Sequence, residues 1–380
     1  MPNVFSLIID KSVLQSLQSR EAEWLFHHFR VNIPPVFFCE ILGDLKKSKQ
    51  LNTGTAHGDA RMLAAKIESA FIDLNAEAHS LVAHELHGYR FALGGLPILE
   101  NAERIQDRHG KTGLLIDQTP MQRVLDRWRE GDFNGLEQAF AQVWRHNLAE
   151  IDLEEIIKST KHMRNKALTT PAAVMQTVEA MLFQPNRDYA NLKRWMQVLA
   201  IPPKWQRNML VRWKSKGRPP PQNFAPYTAY MARLELFFYM GVAHQVVSTR
   251  ASNRVDMDYL MYLPFTSAFA SGDKLHAELF SEFASPNQVF IERHDLKAAL
   301  AEMADFYDSL SDEEKSEGSF TYADYPPTHM HNAVTIAYDK IVPGWREGAN
   351  MPQPPRDPET ERQFLEQIQP MMDAIRSRKK

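Results

Sequence analysis

The sequence is poor in cysteine. Its 380 residues include one, Cys39, so the chain cannot form an internal disulfide. It also lacks the closely spaced cysteine pairs of structural zinc sites. Cys39 lies in an apolar run, where a thiol is a poor nucleophile, so we expect it to pack in the interior. A chain without disulfides favours a reducing compartment, and we expect a cytoplasmic location.

The sequence also lacks a long apolar run. The longest such stretch, near 234–247, is interrupted by Glu235, His244 and Gln245 and is too short to span a bilayer. The first residues, MPNVFSLIID, lead directly into a strand-like segment, without the basic region and apolar core of a secretory signal. These features predict a soluble protein that has no membrane partner.

An excess of positive charge is missing as well. There are 44 Lys and Arg residues against 47 Asp and Glu residues, a formal net charge of −3. Any contact with nucleic acid must therefore come from a local basic surface. The glycine motifs that bind nucleotides, the HExxH zinc motif and the GxSxG nucleophile motif are also absent. The sequence thus gives no support to the enzyme classes that depend on them.

Strand-like segments occur towards both ends of the chain. Short apolar, β-favouring runs predict strands at 4–9, 30–33, 266–271 and 288–291. Apolar residues at three- and four-residue spacing predict helices between and beyond them, at 12–29, 36–45, 56–86, 119–130, 135–147, 171–183, 189–200, 227–247 and 359–377. Six prolines between 201 and 226 predict a loop or linker there.

This distribution predicts the α/β fold class, with one domain split by a large, mostly helical insertion. The length, 380 residues, exceeds that of an ordinary single domain. We expect residues 1–55 and 246–325 to form the α/β domain. The insertion would span 56–245, and 326–380 would form a C-terminal tail with a terminal helix.

Acidic residues lie where the predicted strands end or the following helices begin. Asp10 ends the first strand, Glu40 lies on the helix after the second, and Asp273 follows the strand 266–271. Asp256 and Asp258 precede a further apolar helical run. The carboxyl ends of strands in an open α/β sheet form one edge, so these carboxylates are expected to converge. The carboxylates of such a cluster repel one another, which predicts a bound Mg²⁺ or Mn²⁺. Such an ion can activate a water molecule and neutralise the negative charge of a phosphodiester.

Three segments that carry these acids resemble the PIN-domain nucleases. They are SLIIDKSVLQSL, VNIPPVFFCEILGDL and VDMDYLMYLPFTSAFASGDKLH, with the acids in the order Asp, Glu, Asp, Asp. The resemblance covers roughly 1–50 and 250–295. It implies a Rossmann-like three-layer fold and hydrolysis of nucleic acid, with RNA favoured over DNA. It also implies a divalent-metal site at Asp10, Glu40, Asp256 and Asp273, with Ser271 supporting the site or contacting phosphate.

Two points of this resemblance stay open. Residues two apart do not share a helix face, so one of Asp256 and Asp258 is expected to cap its helix, and Asp256 is favoured as the metal-site acid. Glu40 and Asp256 are 216 residues apart. Compact family members bridge these positions with a few short helices, so the excess leaves the substrate and the regulation undetermined.

A basic stretch, Arg187–Arg218, holds nine Lys and Arg residues and one acid, interleaved with Trp195, Trp205 and Trp213. Cations and aromatic rings suit single-stranded nucleic acid. The alternative is an amphipathic helix pair whose tryptophans lie in the core. Candidate substrate-binding residues, here and beside the acids, are Lys193, Arg194, Lys204, Arg207, Arg250, Arg254 and Lys274. His276 is expected on a helix surface rather than in proton transfer.

Two other functions are compatible with the sequence. One is a non-catalytic nucleic-acid-binding or scaffold protein on a PIN-like fold. The other is a metal-independent ribonuclease of the helical HEPN type, suggested by Arg104 and His109 at an Arg-x4-His spacing. Both residue types are common, so chance explains this spacing better. A homo-oligomer and a regulatory protein partner remain open.

Overall fold

The structure is a computed structural model. It describes residues 5–51, 56–67, 72–99, 102–106, 112–116, 120–133, 168–316 and 322–350, with the isolated positions 135, 137, 139 and 143. The predicted helix at 359–377 and most of the one at 135–147 lie outside the described residues.

Seven strands form two sheets among the described residues. They are β1 (Ser6–Ile9), β2 (Arg30–Ile33), β3 (Ile72–Leu74), β4 (Ala102–Gln106), β5 (Thr112–Ile116), β6 (Ala268–Ser271) and β7 (Val289–Glu292). The main sheet has five strands in the order β3-β2-β1-β6-β7, all of them parallel. Strands β4 and β5 form a separate antiparallel hairpin. The chain therefore has the predicted α/β class.

The order of the main sheet reverses beside β1. The chain proceeds outward from β1 through β2 to β3, and later returns to place β6 on the other side of β1. Leu7 is in register with Ala268, and Ile9 with Ala270. In open parallel sheets, the crevice at the carboxyl ends of two such strands is the usual ligand site. Every residue of β1 and β6 is buried, as expected for central strands covered on both faces.

Seventeen α-helices surround and extend the sheet in the described part of the chain. The first six are α1 (Lys11–Ser16), α2 (Ser19–His28), α3 (Pro35–Leu51), α4 (Ala56–Lys66), α5 (Ala78–His87) and α6 (Pro120–Glu130). The next six are α7 (Pro171–Leu182), α8 (Asp188–Val198), α9 (Pro203–Ser215), α10 (Pro221–Phe224), α11 (Pro226–Ala243) and α12 (Ser252–Leu260). The last five are α13 (Lys274–Phe283), α14 (Arg293–Ser309), α15 (Asp312–Lys315), α16 (Ala333–Ile341) and α17 (Trp345–Ala349). None of the helices in these ranges is long and apolar enough to cross a membrane.

The expected insertion does not lie wholly outside the sheet. Strand β3 falls inside 56–245 and pairs with β2, with Asn32 opposite Asp73. The helix predicted over 56–86 is therefore wrong at 72–74. The linker predicted over 201–226 is also wrong, because α9 occupies much of it. Its prolines are compatible with this, since Pro203 lies in the first turn, where proline favours a helix.

The segment after 326 contributes to the α/β core. Helix α16 packs against α14 and β7. Tyr338 is buried, and its hydroxyl donates a hydrogen bond of 2.6 Å to the carbonyl of His28. Its ring meets Phe5 edge to face. Residues 326–350, predicted as part of a C-terminal tail, therefore include a helix that packs against the α/β core.

Candidate active site

The candidate site lies at the carboxyl ends of β1 and β6, where the strand order reverses. Asp10 directly follows β1, and its backbone N–H donates to the carbonyl of Ala270 on β6 at 3.2 Å. Ser271 is the last residue of β6 and Asp273 follows two residues later. Two acids far apart in sequence are thus brought together by strand pairing alone.

Asp10 is held by three hydrogen bonds. It caps α1, since Oδ1 accepts from the backbone N–H of Val13 at 2.8 Å and from the hydroxyl of Ser12 at 2.7 Å. The other oxygen, Oδ2, accepts from the hydroxyl of Ser271 at 2.5 Å. The residue is 5% exposed. Its carboxylate is therefore fixed in direction before any ligand binds.

Asp273 caps α13, the helix that follows β6, in the same way. Its side chain accepts from the backbone N–H of Leu275 at 2.7 Å. Its own backbone N–H donates to Oγ of Ser271 at 2.9 Å. Ser271 is completely buried and joins Asp10 to the turn that carries Asp273. This burial argues against a nucleophilic role for Ser271 and for a supporting one.

Glu40 approaches the site from α3. Its Oε2 accepts a hydrogen bond of 2.5 Å from the hydroxyl of Tyr259 on α12, and its Oε1 lies 3.7 Å from Nζ of Lys11. Tyr259 and Lys11 were not among the residues singled out from the sequence. Lys11 brings a positive charge next to Asp10 in the chain and against Glu40 in space, which partly balances the acids.

Asp256 on α12 shares the space of the other acids. Burial raises the pKa of its carboxyl to about 8, together with the negative charges of Asp273, Glu40, Asp10 and, last, Asp258. Like charges disfavour each other's ionised form when they face a common, poorly hydrated space. Four acids from four separate segments therefore converge in one cluster, which we call the acidic cluster: Asp10, Glu40, Asp256 and Asp273.

Asp258 belongs to a different group of charges. Its Oδ1 lies 3.3 Å from Nη2 of Arg254, and Arg254 also contacts both carboxylate oxygens of Glu235, at 2.8 and 2.5 Å. Burial raises the pKa of Asp258 to about 6, against the effect of Arg254. It does not cap α12, whose first residue is Ser252. Asp256 and Asp258 thus have different partners.

The expected phosphate contact of Arg254 does not fit its position. Its guanidinium binds Glu235 and Asp258 and lies 5.3 Å from the ring centre of Phe238. Arg250 and Lys274 are exposed, and Lys274 lies 3.4 Å from Glu278. Of the candidate cations beside the acids, Arg254 is therefore structural, whereas these two remain accessible to a ligand.

The basic stretch forms α8, α9 and the residues around them. Trp195 and Trp213 are buried core residues, as the alternative interpretation predicted, and Trp205 is 38% exposed. Arg194 is half-buried and donates to the carbonyl of Met181. The remaining candidates, Lys193, Lys204 and Arg207, are exposed. Base stacking by three tryptophans is thus excluded, while a cationic surface remains.

The expectation for His276 is wrong. Its side chain is 1% exposed and lies within the site, with Nδ1 2.7 Å from Oγ of Ser271 and Nε2 2.8 Å from the carbonyl oxygen of Asp256. A signal in the sequence could have found it. His276, Leu279 and Phe283 fall at i, i+3 and i+7 and form the buried stripe of α13.

The chemistry of the acidic cluster suits a hard divalent cation, because its donors are carboxylate oxygens. In the described part of the chain, no three His, Cys, Asp or Glu side chains are arranged to hold an ion by themselves. Mg²⁺ commonly keeps several waters and binds through one or two carboxylates. The donor set therefore fits an ion held partly through water.

Comparison with protein-family models, with curated proteins and with solved structures finds no match for this chain.

Proposed function

We propose that this protein is a metal-dependent nuclease on a PIN-like fold, and that it hydrolyses phosphodiester bonds at the acidic cluster. The observation that carries the proposal is the convergence of Asp10, Glu40, Asp256 and Asp273 beside the reversal of strand order. Open α/β sheets bind ligands at this position. The preference for RNA over DNA rests on the sequence resemblance.

A bound cation would offset the repulsion among the carboxylates of the acidic cluster. Four carboxyls that share a partly buried space cannot all ionise at low cost, and burial together with the neighbouring negative charges raises the pKa of Asp256 to about 8. Mg²⁺ or Mn²⁺ bound here would supply an activated water and would neutralise charge on the phosphodiester. Metal binding should displace the proton of Asp256, so affinity should rise with pH.

The chain's own residues prepare the site for this reaction. The hydrogen bonds to Asp10 and Asp273 fix two carboxylates at the strand ends. Tyr259 and Lys11 fix and partly balance Glu40. Positioning of this kind lowers the cost of reorganisation during the reaction. Exposed Arg250 and Lys274, and the cationic surface of α8 and α9, would hold the phosphate backbone.

The alternative of a HEPN-type ribonuclease loses support. Arg104 lies in the middle of β4, in an antiparallel hairpin, rather than in a helix. His109 lies outside the described residues. The alternative of a non-catalytic nucleic-acid-binding protein is favoured by one observation, the cationic surface of α8 and α9, which would serve binding without chemistry.

The test compares wild type with Asp10→Asn and Asp273→Asn in cleavage of labelled single-stranded RNA, with Mn²⁺ or with EDTA. Asparagine caps helices about as well as aspartate, so both variants should stay folded. Loss of one charge at the reacting centre should lower the rate by about 100-fold or more. Asp312→Asn, at the start of the exposed helix α15, is the matched control and should cleave like wild type.

Each other outcome has a definite meaning. Cleavage that persists in EDTA and in both variants would reject the metal-dependent mechanism. Binding of RNA by α8 and α9 without cleavage of RNA or DNA in Mn²⁺ would favour the non-catalytic alternative. Cleavage of DNA but not RNA would correct the substrate and leave the chemistry in place.

A further inference from the structure

His276 connects two parts of the acidic cluster: the acids that follow strands, Asp10 and Asp273, and the acid on helix α12, Asp256. On one side, Nδ1 lies 2.7 Å from Oγ of Ser271, which binds Asp10 and the backbone of Asp273. On the other side, Nε2 lies 2.8 Å from the backbone carbonyl of Asp256 on α12. The ring is buried and meets the rings of Tyr259 and Phe269 edge to face. It therefore spans the gap between a strand end and a helix.

The two contacts determine which nitrogen carries the hydrogen. A carbonyl oxygen only accepts hydrogen bonds, so Nε2 must donate to Asp256 and must carry the hydrogen. Nδ1 lies 2.7 Å from Oγ of Ser271, whose single hydrogen is donated to Asp10. Ser271 thus couples the ring to the first acid of the cluster.

Among the acids of the cluster, Asp256 is the one whose backbone His276 contacts. Asp10 and Asp273 are fixed by helix capping at paired strands, and Glu40 by Tyr259. Asp256 lies within α12, a helix that does not directly follow a strand of the sheet. Hydrogen bonding by His276 to its carbonyl links that helix to the end of β6.

We propose that His276 is a positioning residue that sets the separation of Asp256 from Asp10 and Asp273. The proposal rests on the nuclease function proposed above. Groups that orient the direct ligands of a metal site typically contribute 10- to 100-fold to affinity or rate. Displacement of one carboxyl by about 1 Å can cost a factor of about 100 in rate. His276 would act through Asp256 and Ser271, without touching the substrate.

Three substitutions separate positioning from packing. His276→Phe keeps an aromatic ring among Tyr259 and Phe269 but makes neither hydrogen bond. His276→Asn can still reach Ser271 but cannot reach Asp256, whereas the longer amide of His276→Gln can donate to the Asp256 carbonyl. We expect kcat to fall by about 10- to 100-fold in His276→Phe and His276→Asn, while KM stays within about twofold of the wild-type value. His276→Gln should recover part of the lost rate.

A packing role predicts another order. If His276 only fills space, His276→Phe should be the least affected variant, and kcat should follow the melting temperature across the three. Wild-type kcat in His276→Phe or His276→Asn would overturn the proposal. His294→Gln, on the exposed start of α14, controls for loss of a histidine and should keep kcat and KM.

A second measurement does not depend on cleavage. Nitrogen NMR of the full chain labelled in its histidines, assigned through His276→Gln, should show a hydrogen on Nε2 of His276. An Nε2 that carries no hydrogen would overturn the link to Asp256 even in an active nuclease. A wild-type chain that cleaves nothing would reject the proposed function and, with it, the positioning role, while the NMR result would still report whether the link exists.

Discussion

Glu85 shows how one buried carboxylate can join two helices. It lies on α5, yet its oxygens accept from the backbone N–H groups of Tyr227 and Thr228, at 3.0 and 2.7 Å, in the first turn of α11. They also accept from the Thr228 hydroxyl at 2.6 Å. The first N–H groups of a helix have no partner within the helix, so Glu85 supplies the acceptor from outside. These hydrogen bonds offset the cost of removing the Glu85 side chain from water.

We predict that Glu85→Ala lowers the free energy of unfolding by about 2–3 kcal/mol, because two buried N–H groups lose their acceptor. Glu85→Gln keeps one acceptor oxygen and should cost about half as much. Urea unfolding followed by circular dichroism measures both. The exposed Glu23 provides the control, and Glu23→Ala should change stability by less than about 0.5 kcal/mol. Equal effects at both positions would contradict the capping role.

His28 makes stability depend on pH. Its ring is buried, with one nitrogen 3.1 Å from the hydroxyl of Tyr307 and with no hydrogen-bond partner for Nδ1 among the residues that the structure describes. Burial, and then the nearby His27, hold the pKa of His28 well below its ordinary value of 6.5. The unfolded chain therefore takes up a proton below about pH 6.5 that the folded chain refuses, and stability falls as the pH falls.

The expected slope from His28 is about 1.4 kcal/mol per pH unit below pH 6.5, down to its pKa in the folded state. His28→Gln should be less stable at pH 7.5 but should lose this part of the slope between pH 6.5 and 5. Denaturant titrations at several pH values test it. His294→Gln, on the surface, should keep the wild-type slope, and an unchanged slope in His28→Gln would contradict the assignment.

At the scale of elements, the strands were predicted where an apolar run was long enough to stand out. β1, β2, β6 and β7 are such runs. Strand β3 was missed because its three residues lie between helical patterns, and only pairing with β2 makes them a strand. Helix α9 was missed because prolines that begin helices look like loop signals when counted together. Both errors arise where tertiary context decides.

Part of the acidic cluster could be predicted because two of its acids follow strands that stand out in the sequence. Asp10 and Asp273 follow recognisable strands, so parallel pairing suffices to bring them together. The partners of the cluster could not be predicted, because Tyr259, Lys11 and His276 reach it through packing between helices. The sequence likewise left Asp256 and Asp258 open, and only the position of Arg254 and Glu235 separates their surroundings.

Gly241, near the end of α11, lets the chain turn back on the helix. A Cβ added there would lie 2.8 Å from Cγ2 of Val247, and the backbone N–H groups of Val246 and Val247 both donate to the Gly241 carbonyl. Alanine would gain about 1 kcal/mol in helix propensity. The clash with a buried, stiff valine should cost about 1–3 kcal/mol. The crowding should outweigh the propensity.

We therefore predict that Gly241→Ala lowers the melting temperature. In a Val247→Ala background, which is itself destabilised, the same change should be neutral or stabilising, because the contacting methyl is gone. A double-mutant cycle in urea measures the coupling, expected at about 1–2 kcal/mol. Gly58, near the start of α4, has open space around an added Cβ, and Gly58→Ala serves as the control. Additive effects would reject the crowding.

At the scale of the whole molecule, a net charge of −3 hides a strong local asymmetry. The acidic cluster concentrates negative charge at the sheet edge, while α8 and α9 expose cations. On α9, Lys204, Arg207 and Lys214 follow a spacing that places them on one face, over about 15 Å. No carboxylate of the described residues lies within ion-pair distance of these three. Many exposed cations elsewhere, such as Arg20, are paired.

A face of unpaired cations is a surface suited to a phosphate backbone, and its signature is salt dependence. Each cation that contacts a phosphate releases bound counterions, so the logarithm of affinity falls with the logarithm of salt concentration, by about 0.7 per contact on single strands. Lys204→Gln and Arg207→Gln should each weaken binding of single-stranded RNA and reduce this slope by about 0.7. Lys193→Gln on α8 tests whether the surface extends to the preceding helix.

Fluorescence anisotropy in EDTA measures this binding without cleavage, at several salt concentrations. Arg20→Gln is the matched control, because Arg20 is exposed but already bound to Asp305 and Asp308, and should leave the slope unchanged. Unchanged slopes in all three test variants would remove α8 and α9 from the proposed nucleic-acid interface. Reduced slopes in these variants, with cleavage abolished only in the Asp variants, would place binding and chemistry on separate surfaces of one chain.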